Sequence, residues 1–225
     1  MTIDLTESFI ARYRKEYDFF DQAARLAAQI LEGSLRAAGI RSIVTSRAKA
    51  VGRLEAKVRE RASHKNYACV EDIFEDIVDL AGVRVAMYFP GENAQADRII
   101  QNLFFLPRGA PKTFPDPSMQ MRYKKRFSGY LATHYRVQLK EAVLSDAQKR
   151  YAEAKIEIQL ASVLMHSWAE VEHDLVYKPQ QGALSDEEYA ILDELNGLVL
   201  AGEIDLERLQ RAGETRIAAG GRSFS

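Results

Sequence analysis

The chain has 225 residues, of which 47% are hydrophobic and 28% are charged, and its formal net charge at pH 7 is −1. A chain of this length and composition can bury a sizeable core, which excludes disorder as the default interpretation. The near-neutral net charge argues against a protein that coats nucleic acid through a generally basic surface.

Cysteine content and hydropathy indicate the compartment. The single cysteine, Cys69, cannot form an internal disulfide, which fits a reducing compartment, and we expect it to be buried like most free cysteines. The N-terminal residues lack the basic region and apolar run of a signal peptide, and no stretch has the length and apolarity of a membrane span. We therefore expect a cytoplasmic protein with no membrane partner.

The first half of the chain reads as helices around one strand. Residues that recur at three- and four-residue steps predict helices over 6–38, 47–62, 70–80 and 94–104. Between the last two of these, the apolar run 83–89 ends at Pro90-Gly91 and predicts a strand.

Alternating polar and apolar residues predict two strands in the second half, at 130–139 and 155–160. The polar face of the first carries Tyr130, His134, Arg136 and Gln138. The polar face of the second carries Lys155, Glu157 and Gln159. The opposite faces are apolar, so we expect them to be buried.

Helices follow the second strand, over 161–177 and from 185 onward, where Ser185 and Glu188 fit a capping box. The polar stripe of helix 161–177 consists of His166, Glu170, His173 and Tyr177. No HExxH pattern accompanies it, so we interpret the stripe as the lining of a cleft rather than a transition-metal site. The element order predicts an α+β fold, with a mixed β-sheet flanked by helices and helical N- and C-terminal extensions.

Two carboxylates are candidates for chemistry. Asp79 lies where a helix gives way to a strand, close to Gly82, whose missing side chain lets a ligand approach. Glu157 lies on the polar face of a largely apolar strand. Two such acids can share a Mg²⁺ ion, which completes its shell with waters and substrate phosphates. The alternative is that each is a surface or salt-bridged acid.

Positive charge gathers in two places. Arg47, Lys49 and Lys57 lie at a spacing that nearly aligns the two lysines on a helix. The second set precedes Gly129 and consists of Arg122, Lys124, Lys125 and Arg126. Such residues neutralise phosphate charge during transfer, although a solvated helix face and a solubilising loop are the common alternatives.

Four stretches resemble the synthetase domain of RelA/SpoT-type alarmone synthetases. They are SRAKA (46–50), DLAGVRV (79–85), RFSGYLATHY (126–135) and EIQLASVLMHSWAEVEHDLVYK (157–178). The chain is most similar to the stand-alone small alarmone synthetases. The resemblance implies a nucleotidyltransferase-like mixed sheet and three parts: an N-terminal helical segment 1–45, a synthetase domain 46–178 and a C-terminal helical extension 179–225.

The resemblance also implies an activity and its partners. The enzyme would use Mg²⁺ to transfer pyrophosphate from ATP to the ribose 3′-hydroxyl of GDP or GTP, with AMP as the leaving group. It would form a homo-oligomer, commonly a tetramer, with the terminal helices as the interface.

Residue roles follow from the resemblance by position. Asp79 and Glu157 match the Mg²⁺ ligands, and Glu157 is also placed to activate the 3′-hydroxyl. Arg47 and Arg84 match the arginines that sandwich adenine, and the matches to ATP-phosphate contacts are Lys49 and Lys57. The acceptor-nucleotide positions are Tyr130, which stacks on guanine, with Lys124, Lys125, Arg126, His134, Gln159 and the backbone of Ala169.

Two other functions stay open. The acceptor could be an adenine nucleotide or a tRNA 3′ end, as in toxin-like relatives, although RNA binding favours a more basic surface than this chain has. The protein could also be a catalytically silent nucleotide-binding module. The presence of both Asp79 and Glu157 argues against that module, because binding alone would not require both.

Overall fold

The structure is a computed structural model that describes residues 4–107, 111–114, 129–177 and 182–221. Its helices are α1 (Leu5–Lys15), α2 (Tyr17–Ala37), α3 (Val51–Ala62), α4 (Val70–Asp76), α5 (Asn93–Leu103), α6 (Val163–Glu172) and α7 (Asp186–Gly221). Its strands are β1 (Ser42–Ala48), β2 (Ala81–Met87), β3 (Phe104–Phe105), β4 (Lys112–Phe114), β5 (Ala132–Leu139) and β6 (Ile156–Ser162). Three 3₁₀ segments, Pro90–Glu92, Glu141–Val143 and Asp146–Glu153, connect them, and a π-helical turn, His173–Tyr177, extends α6.

A six-stranded mixed β-sheet forms the centre of the fold. Its strand order is β1-β2-β6-β5-β3, and β4 also pairs with β5. β2 and β6 run parallel, whereas the other pairs are antiparallel. The predicted α+β fold is therefore confirmed, with its mixed sheet flanked by helices and with helices at both ends.

One face of the sheet is buried under α2 and α5, as the alternation predicts. The buried strand residues include Val83, Val85, Met87, Tyr135, Val137, Ile156 and Ile158. Helix α2 lies across β1 and β2 and presents buried alanines, among them Ala23, Ala24 and Ala27, which allow close approach. Tyr135 donates its hydroxyl to Asp97 of α5 at 2.6 Å, so the one polar group of this buried side chain is satisfied. The polar residues of the same strands are left on the opposite face.

The predicted helix over 47–62 is wrong at its N-terminal end. Residues Ser42–Ala48 form strand β1, and helix α3 begins at Val51. The β-branched run Ile43-Val44-Thr45 favours an extended chain, and β2 offers it an antiparallel edge. The regular spacing of basic residues was the misleading signal, because it reflects a charged surface that continues from a strand into a helix.

Several other boundaries differ from the predictions. The helix expected over 6–38 divides at Glu16, so that α1 contacts α3 and α4 while α2 crosses the sheet. The helix expected over 70–80 ends at Asp76, which leaves Asp79 in the connection before β2. Cys69 is exposed rather than buried, because it lies at the N-cap of α4 on the protein surface.

Helix α7 packs against α6 and against the 3₁₀ segment Pro90–Glu92. The capping box predicted at Ser185 is confirmed, since Ser185 N donates to Glu188 at 2.7 Å and Glu188 N donates to Ser185 Oγ at 3.3 Å.

Within the described ranges, no helix combines the length and apolarity that crossing a membrane requires.

The N-terminal helix is tied to the segments beside Asp79. Tyr13 of α1 is fully buried, and its hydroxyl donates to Lys49 O at 2.7 Å and lies 3.4 Å from Leu80 O. Lys49 N also donates to Leu80 O, at 2.9 Å. One phenol therefore joins α1 to the two chain segments that carry Lys49 and Asp79.

Replacing Tyr13 should destabilise this junction. We expect Tyr13→Phe to lower the free energy of unfolding by about 1–3 kcal/mol, because the substitution leaves a buried carbonyl without its donor. Urea unfolding at pH 7 measures the change, with an unchanged m-value as the check on two-state behaviour. Tyr17→Phe is the matched control on α2 and should stay within about 0.5 kcal/mol of wild type. Equal losses in the two variants would contradict the role of the Tyr13 hydroxyl.

Candidate active site

The open face of the sheet carries polar residues in two rows that cross adjacent strands. The first row is Arg47 of β1, Gly82 of β2, Glu157 of β6 and Arg136 of β5. The second row is Thr45, Arg84, Gln159, His134 and Lys112. Cross-strand partners project from the same face, so the register alone gathers side chains from five strands on one surface.

Gly82 leaves a gap in the first row between Arg47 and Glu157. Among the described residues, a Cβ at Gly82 would meet only the carbonyl oxygen of Arg47, at 3.7 Å, which is ordinary contact. The packing of those residues therefore does not require glycine here. The missing side chain instead leaves the backbone accessible at this point of the surface, so a bound group can approach it closely.

Asp79 lies at the edge of this surface, held by two lysines. Lys49 Nζ donates to Asp79 Oδ2, and Lys57 Nζ donates to Asp79 Oδ1 at 2.8 Å. Burial alone would raise the pKa of Asp79, but the two ammonium groups outweigh it, so the pKa lies below its usual value. The structure thus brings three sequence-predicted residues together as one cluster, in which the Asp79 carboxylate is ionised at neutral pH.

Glu157 lies mid-strand on β6 with both carboxylate oxygens engaged. Gln159 Nε2 donates to Glu157 Oε2 at 2.8 Å, and His134 Nδ1 lies 3.5 Å from Oε1. Burial would raise the pKa of Glu157, but His134 and Gln159 outweigh it and lower the pKa overall. The charge of Asp79, which lies two residues before β2, acts in the opposite direction and raises the pKa of Glu157.

The carboxylate pair fits Mg²⁺ by its donor chemistry. Mg²⁺ takes hard oxygen ligands and usually binds one or two carboxylates together with waters and substrate phosphates. A cation bound by both acids would relieve the repulsion that Asp79 exerts on Glu157. The described ranges hold no group of three or more His, Cys, Asp or Glu side chains that could bind a metal, so this pair would depend on substrate for further ligands.

Arg84 and Arg47 form a second charged group on β2 and β1. Arg84 makes a salt bridge with Glu170 of α6. Burial would raise the pKa of Glu170, but the charges of Arg84 and Arg47 outweigh this effect and lower the pKa overall. The two arginines are diagonal neighbours across the β1–β2 ladder, a relation that separates Cα atoms by about 7–8 Å. That separation suits two guanidinium planes stacked on either side of one base.

Aromatic rings cluster at the β5 end of the surface. Tyr130, two residues before β5, lies with its ring centre 6.1 Å from that of His134 and 6.3 Å from that of His166. Phe114 of β4 lies 4.5 Å from His134 and 6.3 Å from Tyr130. Rings arranged in this way form a wall on which a base can stack.

His166 is a structural member of that wall. It is 7% exposed, and its Nε2 lies 3.0 Å from the carbonyl oxygen of Val85. Burial lowers the pKa of His166 to about 4, so the ring is neutral at physiological pH and Nε2–H donates to Val85 O. This bond joins α6 to β2 and fixes the distance between the helix and the sheet.

The remaining predicted site residues fall in two groups. Ala169 lies on α6 next to Glu170, and its carbonyl accepts the N–H of His173. The basic residues Arg122, Lys124, Lys125 and Arg126 lie outside the described residues.

Sequence reasoning did not assign four residues that the structure adds to this surface. They are Lys112, Phe114, Arg136 and Glu170. The alternation over 130–139 already placed Arg136 on the correct face, and the helical stripe contained Glu170 without its partner Arg84. Lys112 and Phe114 could not be found in this way, because β4 has only three residues and lies in a proline-rich stretch without periodicity.

Comparison with known proteins places this geometry in a family. The model of the region found in RelA/SpoT proteins matches residues 46–182 of the chain, which is more than half of it. No curated protein sequence matches the chain.

Solved structures share the fold. The small alarmone synthetase 1 from Bacillus subtilis matches with a TM-score of 0.68 at 20% identity, over 91% of this chain and 98% of that chain. A GTP pyrophosphokinase family protein from Streptococcus pneumoniae matches with a TM-score of 0.65 at 20% identity, over 91% and 96%. The Bacillus subtilis small alarmone synthetase 1 bound to its product pppGpp matches with a TM-score of 0.60 at 19% identity, over 92% and 99%.

The family match covers the strands and helices that carry the two carboxylates, the paired lysines and arginines, and the aromatic wall. We conclude that the chain belongs to the RelA/SpoT family and has the fold of the small alarmone synthetases.

Proposed function

We propose that this protein transfers pyrophosphate from ATP to the ribose 3′-hydroxyl of GDP or GTP. The 3′-oxygen forms a bond to the β-phosphorus while the bond from that phosphorus to the α,β-bridging oxygen breaks, and AMP leaves. The observation that carries this proposal is the carboxylate pair, Asp79 and Glu157, with cations on one side and aromatic rings on the other. The family match and the pppGpp product of one structural relative support it.

The donor side of the site is proposed to lie toward β1 and α3. Arg47 and Arg84 would stack on the two faces of adenine, with Glu170 holding the Arg84 guanidinium in place. Lys49 and Lys57 would leave Asp79 and bind the phosphates of ATP. This exchange keeps each ammonium group paired with an anion throughout, because the phosphates replace the carboxylate that they displace.

The acceptor side is proposed to lie toward β5. Tyr130 would stack on guanine within the wall that includes Phe114 and His134. Arg136, the cross-strand neighbour of Glu157, is exposed on the same face and is our further candidate for the acceptor phosphates. The remaining acceptor contacts are proposed to be Lys124, Lys125, Arg126, Gln159 and the backbone of Ala169.

Glu157 is proposed to bind the 3′-hydroxyl and accept its proton. Its lowered pKa keeps the carboxylate ionised at neutral pH. The carboxylate can therefore receive a hydrogen bond from the 3′-hydroxyl, but it is a weak base. Such transfers need more positioning and charge neutralisation than proton abstraction, so a weak base suffices. Asp79 and Glu157 would together hold Mg²⁺, which when bound supplies charge stabilisation for the transferred group. Because its substrates are cytoplasmic metabolites, a cytoplasmic location belongs to the same proposal.

A transfer assay tests the function directly. We expect purified protein with Mg²⁺ and ATP labelled at the γ-phosphate to transfer label to GDP or GTP in preference to AMP, ATP or bulk tRNA. Label that appears only in adenine nucleotides or tRNA would support the same pyrophosphate transfer, but to a different acceptor. A wild-type protein that binds ATP and transfers label to none of them would contradict the proposal in favour of a silent binding module.

Substitution of Glu157 links that activity to the site. Glu157→Ala should lower the rate of transfer by about 10²–10⁴-fold, because it removes the group that orients and deprotonates the hydroxyl. Binding of ATP, measured by isothermal titration calorimetry, should change little. Glu153→Gln, which alters an exposed carboxylate just before β6, is the control and should retain wild-type turnover. Undiminished transfer by Glu157→Ala would remove this residue from the mechanism.

Tyr130 should act on the acceptor alone. We expect Tyr130→Ala to raise the acceptor KM by about 10- to 100-fold, the usual effect of losing one stacking contact with a base. The KM for ATP should stay close to wild type, and Tyr130→Phe, which keeps the ring, should restore most of the acceptor affinity. Steady-state kinetics with each substrate varied in turn will show whether the effect is confined to the acceptor.

We also propose that the protein assembles as a homo-oligomer, commonly a tetramer in its family, through α7. Ile191, Leu195 and Leu198 follow one another at helical steps and continue in line with Leu209, and all four are at least 43% exposed. Leu198→Glu combined with Leu209→Glu should lower the mass measured by sedimentation velocity. Val143→Glu, which alters an exposed apolar residue on a connecting segment, should leave the mass unchanged. A monomeric wild type would contradict the proposed assembly.

A further inference from the structure

The buried face of α7 carries an asparagine that packing alone does not explain. Asn196 is 2% exposed, and it lies one turn after Leu192, which is 4% exposed. A buried amide costs free energy unless its oxygen and its nitrogen both find partners. Its Nδ2 is buried and has no hydrogen-bond partner within the described residues. An apolar side chain would suit this position better if α7 needed only to pack there.

The oxygen of the same amide is engaged with the acceptor side of the site. Asn196 Oδ1 accepts the backbone N–H of Gly129 at 3.1 Å, in a buried contact between residues 67 positions apart. Gly129 has a φ of 77°, in the left-handed region that favours glycine. The bond therefore holds Gly129 in a backbone conformation that a different residue would not readily adopt.

Gly129 immediately precedes Tyr130. Strand β5 begins at Ala132, so Tyr130 lies before the ladder and the sheet does not fix its backbone. Its ring is placed by its neighbours and by the backbone at Gly129. A shift of that backbone would move the ring relative to His134 and His166, whose ring centres lie 6.1 and 6.3 Å away.

A second contact of α7 reaches the other element of the aromatic wall. Glu203 accepts the hydroxyl of Ser162, and the same Ser162 Oγ accepts the N–H of Met165 at the start of α6. Helix α6 carries His166 of the aromatic wall, and it also carries Glu170, which pairs with Arg84 on the ATP side. Of these two contacts of α7, the one at Asn196 is directed at Tyr130.

We propose that Asn196 is a positioning residue for the acceptor base. It holds the Gly129 backbone so that the Tyr130 ring faces the base, and this role rests on the proposed function of Tyr130. Asn196 acts through Tyr130 and touches no substrate. The C-terminal helix therefore supports the acceptor site through Asn196, and the bond from Asn196 to Gly129 sets acceptor affinity without altering the ATP side.

Kinetics of Asn196→Leu test this proposal. The variant removes the bond to Gly129 and keeps a side chain of similar size, so we expect the acceptor KM to rise by about three- to tenfold. The KM for ATP should stay within about twofold, since the hydrogen bond does not reach the ATP side. Asn196→Ala, which removes the same bond without adding apolar bulk, is the second variant and should give the same result.

Two controls separate positioning from a general loss of packing. Leu192→Ala weakens the same face of α7 one turn away, and it should lower the melting temperature without changing the acceptor KM. In a Tyr130→Ala background, Asn196→Leu should have no further effect on the acceptor KM, because the residue that it positions is gone. An acceptor KM raised equally by Leu192→Ala, or by Asn196→Leu in both backgrounds, would overturn the proposal.

A binding measurement keeps this test separate from the proposed reaction. Isothermal titration calorimetry with GDP, in the presence of α,β-methylene-ATP, should show weaker GDP binding by Asn196→Leu than by wild type. Should the wild type bind GDP but transfer no pyrophosphate, the reaction would be wrong while the role of Asn196 still stood. Unchanged GDP binding by Asn196→Leu would overturn the role of Asn196 and leave the reaction untouched.

Discussion

The parallel register between β2 and β6 is the constraint on which the rest of the site depends. It sets Gly82 beside Glu157 and Arg84 beside Gln159, and the antiparallel registers on either side extend these rows to Arg47 and His134. Because strand side chains alternate, a slip of one residue would turn Glu157 into the core and bring Ile158 to the open face. The apolar face under α2 prevents that slip, so packing on one side of the sheet maintains the chemistry on the other.

Three cations of the site have a carboxylate partner before any substrate arrives. Asp79 bridges Lys49 and Lys57, and Glu170 pairs with Arg84. Partly buried charges of one sign would destabilise the fold, so these pairs allow the protein to keep a dense set of cations without nucleotide. Binding then becomes an exchange of one anion for another. The lowered pKa values of Asp79 and Glu170 keep both carboxylates charged for that exchange at neutral pH.

Both ends of the chain support this site from outside the sheet. Tyr13 of α1 joins the segments that carry Lys49 and Asp79, and Asn196 of α7 accepts the backbone N–H of Gly129, next to Tyr130. Each contact is a hydrogen bond between residues far apart in sequence. Neither leaves a local pattern, because a buried tyrosine or asparagine looks the same in sequence whether or not its partner lies near a site. The sequence therefore predicted helical extensions but not their contacts.

Local periodicity in the sequence determined most of the helices and strands and the common face of several site residues. The strands around Val83, Tyr135 and Ile158, the helices beside them, and the common face of Tyr130, His134 and Arg136 all follow from alternation within short segments. The family resemblance added expected roles for the two carboxylates and the basic residues. Tertiary structure alone decided that Ser42–Ala48 pairs with β2, that the short strand Lys112–Phe114 joins the aromatic wall, and that Glu170 meets Arg84. The physical reason is that each of these depends on a partner distant in the chain, and pairing energy between distant segments outweighs the weak propensity of the segment itself.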